Sequence, residues 1–378
     1  MKYFLSGECC LKWLETPSVY HIKKDELYEL DEDSFKFLRG CSSSPGCSSQ
    51  DAEFIDYCVN ERILLKDRII LRRPALIKSP DPSLRYLELQ ITDRCNLKCK
   101  HCYIYNKVGS ELSPGQIKDI LKEFEKMQGL RVLITGGEPF MHRGFEEINA
   151  MLPEFFIRKV LFTNGLLLNK KRLKGLNVDE MQISIDGLEE AHDSLRGKGT
   201  FNSALDAVKR AIDSGFEVSI STMVHPGNLN DFDEMESLFK ETGIKDWTVD
   251  VPCITGRLRL EEHGEFQISP EVGGKYLKYG YGKGLHSGDS GFACGLHLMA
   301  VTADGRVSKC TFYSKEPVGV IAEGLQKCWQ KIKPLRLAEL QCDCDYIESC
   351  RGGCRYRALL LGDPLGKDLY KCNLYGIL

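Results

Sequence analysis

Short apolar runs alternate with amphipathic segments through the middle of the chain. Strand-like runs are predicted at Tyr86–Thr92, Val132–Gly136, Lys159–Asn164, Met181–Asp186, Glu217–Val224 and Trp247–Pro252. Segments with helical spacing of their apolar residues lie between these runs, at roughly 113–129, 144–156, 170–177, 201–214 and 231–242. Because strands alternate with helices, the pattern predicts an α/β fold with a parallel sheet, closed or nearly closed into a barrel.

The helix predicted after residue 112 has the clearest start. Ser113 can cap it, Pro114 occupies its first turn, and Gln116 completes a capping box with Ser113. Leu112 can pack onto Ile117 as a hydrophobic staple. These local features place the beginning of this helix at residue 113 or 114.

The two ends of the chain are organised differently from its middle. Residues 1–80 contain strand-like runs at 18–22, 27–30 and 63–65 and helical patterns at 33–38 and 51–60, and the Ser-, Gly- and Pro-rich stretch 41–50 reads as a loop. Pro80 and Pro82 mark a boundary, and beyond about residue 285 the strand–helix rhythm stops and cysteines become dense. We expect three units: residues 1–80, 81–285 and 286–378.

Composition excludes several classes of protein. A chain of 378 residues with 42% hydrophobic residues can bury a sizeable core, and a net charge of −3 argues against nucleic-acid binding through a basic face. No apolar run approaches the ~18 residues of a membrane span, and the apolar start of MKYFLSGECC is too short for a signal peptide. We therefore expect a protein of the reducing cytoplasm, where structural disulfides are rare.

Seventeen cysteines then need another explanation, and metal or cluster ligation is the leading one. The cysteines of the first unit have irregular spacing that matches no metal signature, and we expect buried free thiols there. They are Cys9, Cys10, Cys41, Cys47 and Cys58.

Three other cysteines directly follow the first strand of the central unit. Cys95, Cys99 and Cys102 have the spacing C-x3-C-x2-C and are followed by Tyr103. A loop this short can wrap one corner of an iron–sulfur cubane, whose irons take thiolate ligands. Three cysteines for four irons would leave one iron open to another ligand. The alternatives are a zinc knuckle short of one ligand, or three cysteines brought together by chance.

This spacing, with an aromatic residue after the last cysteine, resembles the radical S-adenosylmethionine (SAM) enzymes. The resemblance implies a [4Fe–4S] cluster on Cys95, Cys99 and Cys102, whose open iron chelates the amino and carboxylate groups of SAM. It also implies a partial (β/α)6 TIM-like barrel, in which functional residues belong at the carboxyl ends of the strands.

Polar motifs fall at those predicted strand ends. Gly136-Gly137-Glu138-Pro139 matches the family's GGEP motif, whose backbone and glutamate are expected to hold the SAM ammonium. The resemblance also implies contacts to the SAM ribose, carboxylate and adenine, with Ser184 and Arg196 the best candidates. The candidate positions are Tyr103, Asn164, Ser184, Asp186, Arg196 and Ser221. For each of them a turn-stabilising or core role is the alternative.

Seven cysteines near the carboxyl end form a second pattern. Their order is Cys294-x10-Gly305-x4-Cys310, then Cys342-x-Cys344-x5-Cys350-x3-Cys354, then Cys372. The order resembles the SPASM extension of radical SAM enzymes, which implies two auxiliary iron–sulfur clusters, expected to be [4Fe–4S]. The family's partition assigns Cys294, Cys310 and Cys354 to the first and Cys342, Cys344, Cys350 and Cys372 to the second. A structural zinc module is the alternative, and Cys342-Asp343-Cys344 departs from the usual C-x2-C.

The first auxiliary cluster lacks a fourth ligand in this partition. Cys253, at the end of the sixth predicted strand, is our first choice for that ligand. It could instead be a free thiol, or a catalytic donor of a proton or hydrogen atom, and the cluster could be open to a substrate group. Cys328 falls within a helix-like segment and is expected in the core.

The resemblance implies reductive cleavage of SAM to a 5′-deoxyadenosyl radical that removes hydrogen from the substrate. SPASM proteins commonly modify peptides, and the first unit resembles the winged-helix domain that takes a leader peptide as an added strand; a unit that merely caps the barrel is the alternative. We therefore expect maturation of a ribosomally made peptide by cross-linking or side-chain oxidation, with an electron donor such as flavodoxin or ferredoxin. Alternatives are sulfatase-type protein oxidation, tailoring of a small cofactor precursor, and a non-enzymatic electron carrier.

Overall fold

The computed structural model describes residues 1–43, 45–69, 71–104, 108–282 and 290–378. The boundary expected at 285 lies outside these residues. Within the described ranges, no helix combines the length and the apolar character that crossing a membrane requires.

The first unit is a small antiparallel sheet with two helices. Its elements are β1 (Phe4–Leu5), β2 (Cys9–Trp13), β3 (Pro17–His21), β4 (Glu26–Glu29), α1 (Glu32–Cys41), α2 (Ala52–Asn60) and β5 (Leu64–Leu65). The sheet has the order β2-β3-β4, and β1 pairs with β5. Asp31 and Asp51 cap the helices by accepting hydrogen bonds from backbone N–H groups. Cys9, Cys10, Cys41 and Cys58 are buried, as expected, and Cys47 is half-buried.

The central unit repeats strands and helices as predicted. Its elements are β6 (Tyr86–Thr92), α3 (Pro114–Lys126), β7 (Arg131–Gly136), α4 (Phe145–Met151), β8 (Arg158–Thr163), α5 (Lys170–Lys174), β9 (Glu180–Ser184), α6 (Glu189–Arg196), α7 (Thr200–Asp213), β10 (Glu217–Met223), α8 (Phe232–Thr242), β11 (Asp246–Asp250) and α9 (Pro270–Gly273). All neighbouring strands from β6 to β11 are parallel. The capping box of Ser113 and Gln116 forms at the start of α3.

The last unit continues the same sheet. Its elements are β12 (Leu298–Val301), β13 (Arg306–Ser308), β14 (Gly319–Val320), α10 (Leu325–Lys331), α11 (Ile347–Cys350), α12 (Arg355–Leu360) and α13 (Leu369–Leu374). Strand β12 pairs in parallel with β6, and the order is β11-β10-β9-β8-β7-β6-β12-β13-β14. The sheet is therefore an open, partial barrel, because β12 takes the edge of β6 that a closing strand would need. Cys328 is fully buried in α10, as predicted.

A buried charge network attaches the first unit to the barrel. Arg158, at the start of β8, is fully buried, donates to Glu180 at 2.8 Å and also pairs with Glu217. Asp25, in the turn between β3 and β4, accepts from Arg131 Nε at 2.8 Å and lies 3.5 Å from Arg158 Nε. All these barrel residues are at the amino ends of their strands. The first unit is thereby held at the end of the barrel opposite to the predicted site.

Candidate active site

A cavity of about 280 Å³ lies at the carboxyl ends of the parallel strands. The three cysteines of the C-x3-C-x2-C loop line it together with residues from β7 to β11. Among the predicted positions it is lined by Cys95, Cys99, Cys102, Tyr103, Gly136, Gly137, Asn164, Ser184, Asp186, Arg196, Ser221 and Cys253. The topology thus brings these sequence-distant residues around one space near the size of small-molecule sites (~300 Å³ and above).

The residues directly after β7 hold the cysteine loop in place. Gly137 N donates to Thr92 O and Glu138 N donates to Arg94 O, both at 2.8 Å. A Cβ atom built on Gly137 would lie 2.3 Å from Arg94 O, so any other residue would push the loop away. The GGEP motif therefore acts on the cysteines through backbone packing.

Glu138 lies behind the cavity wall, at the end of β7. Its carboxylate is fully buried, accepts from Thr163 Oγ1 and Asn164 N at 2.8 Å, and does not line the cavity. Desolvation raises its pKa to about 7. Pro139 is also away from the cavity, at the start of a short 3-10 turn. The carboxylate ties the end of β7 to the end of β8, and a role of Glu138 and Pro139 at the SAM ammonium stays a prediction.

Asp186 and Arg196 form a charged pair in the cavity wall. Arg196 Nε donates to Asp186 Oδ2 at 2.5 Å, and Met223 N donates to Asp186 Oδ1 at 2.7 Å. Burial opposes ionisation of Asp186, but Arg196 and His101 hold its pKa well below the usual range. A fixed carboxylate and a rigid guanidinium can orient a polar ligand. Sequence reasoning missed α6, which carries Arg196, because that helix lacks a side-chain cap.

The cysteine loop is covered on its outer side by a 3-10 turn, Gly256–Arg259. Arg257 N donates to Cys102 O at 3.0 Å. Gly256 has a φ of +58° and leaves no room for a Cβ, which would lie 2.4 Å from Cys102 O. Tyr103 packs beneath this cover with its ring centroid 5.3 Å from that of Phe312. The loop is therefore held between the strand ends and the turn.

The carboxyl-terminal cysteines surround two further cavities. The larger, about 500 Å³, is lined by Cys294, Cys310, Cys350 and Cys354. The smaller, about 20 Å³, is lined by Cys342, Cys344, Cys350 and Cys372. Cys294, Cys310 and Cys354 thus share the larger cavity, Cys342, Cys344 and Cys372 share the smaller one, and Cys350 lies at both.

Cys253 lies where the strand-end cavity and the larger cysteine cavity meet. Its buried thiol lies beside the thiol of Cys354, and a proton shared between the two raises the pKa of Cys253 and lowers the pKa of Cys354. Asp250 and Phe312 line both cavities. Neither had been singled out from sequence, because their role depends on how the last unit packs on the barrel; Arg357 makes that contact by donating to Asp250 at 2.9 Å.

The described cysteines of these motifs line cavities. Among the described residues, no three His, Cys, Asp or Glu side chains converge on one point where a metal ion could bind. A single zinc ion needs thiolates about 2.3 Å from one centre, whereas a cubane spreads its thiolate ligands over separate irons.

Comparison with known proteins gives matches in sequence. Residues 89–239 match the radical SAM superfamily. Mycofactocin maturase MftC of Mycolicibacterium smegmatis is 29% identical over 320 residues, covering 74% of this chain and 80% of MftC. Fe-coproporphyrin III synthase of Methanosarcina barkeri is 32% identical over 161 residues, covering 41% of this chain and only 40% of that protein.

Solved structures share the fold. Streptococcus suis SuiB bound to S-adenosylmethionine aligns with a TM-score of 0.68 at 15% identity, over 97% of this chain and all of SuiB. SuiB bound to its precursor peptide SuiA aligns with the same TM-score and identity, over 98% of this chain and all of SuiB. Residues 89–239, which include the three loop cysteines at the strand ends, therefore form a radical SAM domain.

Proposed function

We propose that this enzyme modifies a ribosomally made precursor peptide, by forming a carbon–sulfur or carbon–carbon cross-link or by oxidising a side chain. The observation that carries the proposal is that Asp250 and Phe312 line both the strand-end cavity and the larger cysteine cavity. A substrate group between them would meet both reaction centres. The similarity to a peptide maturase covers most of both chains, which supports the same class of substrate.

Within the strand-end cavity, Cys95, Cys99 and Cys102 would hold a [4Fe–4S] cluster, as the superfamily implies. When bound, cluster and SAM supply a 5′-deoxyadenosyl radical that can remove hydrogen from an unactivated carbon. The residues of the chain itself would bind and orient SAM. The backbone of Gly136 and Gly137 faces the cavity, and the Asp186–Arg196 pair offers fixed charges.

Uncharged side chains complete the proposed SAM site. Asn164, Ser184 and Ser221 supply polar groups along one wall. Asn164 Nδ2 also donates to Asn96 Oδ1 at 2.8 Å, which couples this wall to the cysteine loop. Tyr103 supplies a ring at the side of the cavity. Because Asn164 contacts the cysteine loop and also faces the cavity, a small displacement of the loop would also move this part of the SAM site.

For the last unit we propose two auxiliary iron–sulfur clusters, expected as [4Fe–4S]. The first would be held by Cys294, Cys310 and Cys354, and the second by Cys342, Cys344, Cys350 and Cys372. Cys253 would be the fourth ligand of the first, because its thiol already contacts Cys354. These clusters would take an electron from the substrate radical or hold the substrate.

For the first unit, residues 1–80, we propose recognition of a leader segment by addition of a strand. Among the described strands, β4 is the last in its sheet. The opposite edge strand, β2, is already against the barrel, where Trp13 N donates to Gln128 and Lys12 Nζ donates to Gly129 O at 2.7 Å. A peptide would therefore pair with the outer edge of β4 through backbone hydrogen bonds.

A second candidate function is the tailoring of a porphyrin precursor, which the similarity to Fe-coproporphyrin III synthase favours. That similarity spans less than half of the relative, and it falls short of the extent seen with the maturase.

The test is an anaerobic reaction of the reconstituted enzyme with SAM, reductant and the peptide encoded beside its gene. Mass spectrometry should show a mass loss of two hydrogens, or another defined change, in the full-length peptide and a much smaller yield when its leader is removed. An unchanged peptide, with turnover of iron coproporphyrin in a parallel reaction, would replace the peptide proposal with the second candidate.

A further inference from the structure

We propose that the cavity between the first unit and the amino ends of the barrel strands binds a small apolar monocarboxylate, with Lys159 as the partner of its carboxylate. The cavity measures about 480 Å³, within the range of small-molecule sites (~300–1,000 Å³). Lys159 is the second residue of β8 and Glu217 is the first residue of β10, so the cavity lies at the end of the barrel opposite to the strand-end cavity. A ligand there would be distinct from SAM and from the substrate of the proposed reaction.

Lys159 is a buried cation without a direct partner. It is 8% exposed and lines the cavity, so the little surface that it keeps faces this space. Among the described residues, no acceptor lies within hydrogen-bonding distance of Lys159 Nζ, and no carboxylate oxygen lies within 4.0 Å of it. Burial lowers the pKa of this lysine, and the attraction of Asp179 offsets only part of that effect. A buried ammonium without a direct counter-charge is unfavourable, and an anion beside it would stabilise it.

The carboxylates around the cavity are already bound to other groups. Asp179 Oδ2 accepts from the backbone N of Lys159 at 2.7 Å, so this carboxylate is held at the backbone of the strand. Glu217 is paired with two cations at the same end of the barrel. Glu8 lies 3.7 Å from the Nζ atom of Lys23, the second lysine of the lining. Among the charged side chains that the structure describes in this lining, that of Lys159 is the one that a ligand could pair.

The rest of the lining is mostly apolar and comes from both units. An inorganic anion would leave these side chains in contact with water, whereas a carboxylate on an aliphatic or aromatic body would cover them. One buried cation beside an apolar wall therefore favours a monocarboxylate with an apolar body. The apolar side chains include those of Ile22 and Leu71 in the first unit and of Phe155, Phe156, Val178 and Phe216 in the barrel.

The walls of the cavity are held by contacts that do not involve a ligand. Arg158 Nη1 donates to the carbonyl oxygens of Ile22 and Lys23, both at 2.9 Å. Lys12 Nζ donates to Phe156 O at 3.2 Å. The cavity is therefore formed before a ligand enters, and a preformed site loses less conformational freedom on binding. A ligand that fills it would contact the first unit and the barrel at once.

The experiment titrates sodium octanoate, an aliphatic monocarboxylate, into the full-length protein by isothermal calorimetry, with the neutral alcohol octanol as a second probe. Lys159→Met removes the charge and keeps an unbranched side chain of similar length. Leu71→Glu adds a negative charge at an exposed position of the lining, and it tests the site even where Lys159→Met does not fold. The controls are Lys174→Met and Leu361→Glu, which make the same changes at exposed positions outside the cavity.

Octanoate should bind the unmodified protein with a Kd below about 1 mM, and both cavity variants should bind it about tenfold or more weakly. Both controls should bind octanoate like the unmodified protein, and Lys159→Met should bind octanol at least as well as the unmodified protein does. No binding by the unmodified protein, equal binding by the cavity variants, or equal loss in the controls would overturn the proposal. Displacement of octanoate by the precursor peptide would assign the cavity to a peptide segment and would overturn the small-ligand assignment.

Discussion

The thiol of Cys253, just beyond the end of β11, lies beside the thiol of Cys354 in the last unit. This contact joins the barrel to the cysteine-rich unit at the wall that two cavities share. A thiol already aligned with a proposed cluster ligand is well placed to become the next ligand.

Replacing Cys253 by Ala should therefore alter the first auxiliary cluster and leave the cluster of the cysteine loop intact. We expect loss of up to one cluster's iron per chain and a changed electron paramagnetic resonance spectrum after reduction. Cys328→Ala is the control, because Cys328 is fully buried in α10 and lines none of the three cysteine-bearing cavities. Identical iron content and spectra in both variants would show that Cys253 is not a ligand.

From the Asp186–Arg196 pair we predict that a substitution of Arg196 weakens the binding of SAM. Lysine cannot reproduce the planar fork of arginine, so Arg196→Lys should weaken SAM binding about tenfold, measured by equilibrium dialysis of the cluster-loaded protein. Arg210→Lys is the control, since Arg210 is half-buried on α7 and donates to Leu168 O instead. Equal affinity of both variants would remove Arg196 from the proposed SAM site.

Glu138 predicts a pH dependence of stability. Its pKa in the folded protein is about 7, above the ordinary value of 4.5. A carboxyl group whose pKa is higher in the folded than in the unfolded protein makes its full contribution to the free energy of unfolding only at a pH below the unfolded-state pKa. This contribution is lost as the pH rises through the folded-state pKa. The loss is of order 3 kcal/mol between about pH 4.5 and 7.

Because glutamine cannot ionise, Glu138→Gln should escape that loss. Its melting temperature relative to the unmodified protein should rise between pH 5.5 and pH 8. A constant difference across this range would mean that the Glu138 carboxylate is already ionised at the lower pH.

The buried network at the first unit predicts a large structural effect. Asp25→Asn keeps the shape and tolerates the left-handed backbone of this position, where φ is +60°, but leaves Arg131 and Arg158 short of a counter-charge. We expect a destabilisation of about 3–5 kcal/mol, seen as a lower melting temperature. Asp31→Ala should lower the melting temperature much less, because Asp31 is an exposed cap of α1. Similar decreases of the melting temperature in both variants would show that the network contributes little to holding the first unit on the barrel.

Local features of the sequence predicted the repeating part of the fold well. Apolar runs placed β6 to β11 within two residues, and the Ser113–Gln116 capping box placed the start of α3, because both depend on neighbouring residues. The C-x3-C-x2-C spacing likewise placed Cys95, Cys99 and Cys102 in one loop, because so short a spacing constrains the backbone directly, and all three line the strand-end cavity.

The features that could not be predicted from the sequence depend on packing between residues that are far apart in the chain. The pairing of β12 with β6 joins Leu298 to Tyr86, and nothing near either residue marks the other. Glu138 turns into the core because Thr163 and Asn164 arrive from the next strand and hydrogen-bond it. The double role of Asp250 and Phe312 depends on the last unit folding back over the strand ends. Such relationships come from the assembled fold, and no local pattern encodes them.

The central claim is that Cys95, Cys99 and Cys102 hold a cluster with an iron left open for SAM. Its most direct test is the formation of 5′-deoxyadenosine when anaerobically reconstituted protein is reduced in the presence of SAM. We predict steady formation by the unmodified enzyme and none above background by Cys99→Ala. Undiminished formation by Cys99→Ala, or none by the unmodified enzyme with its iron in place, would contradict the account.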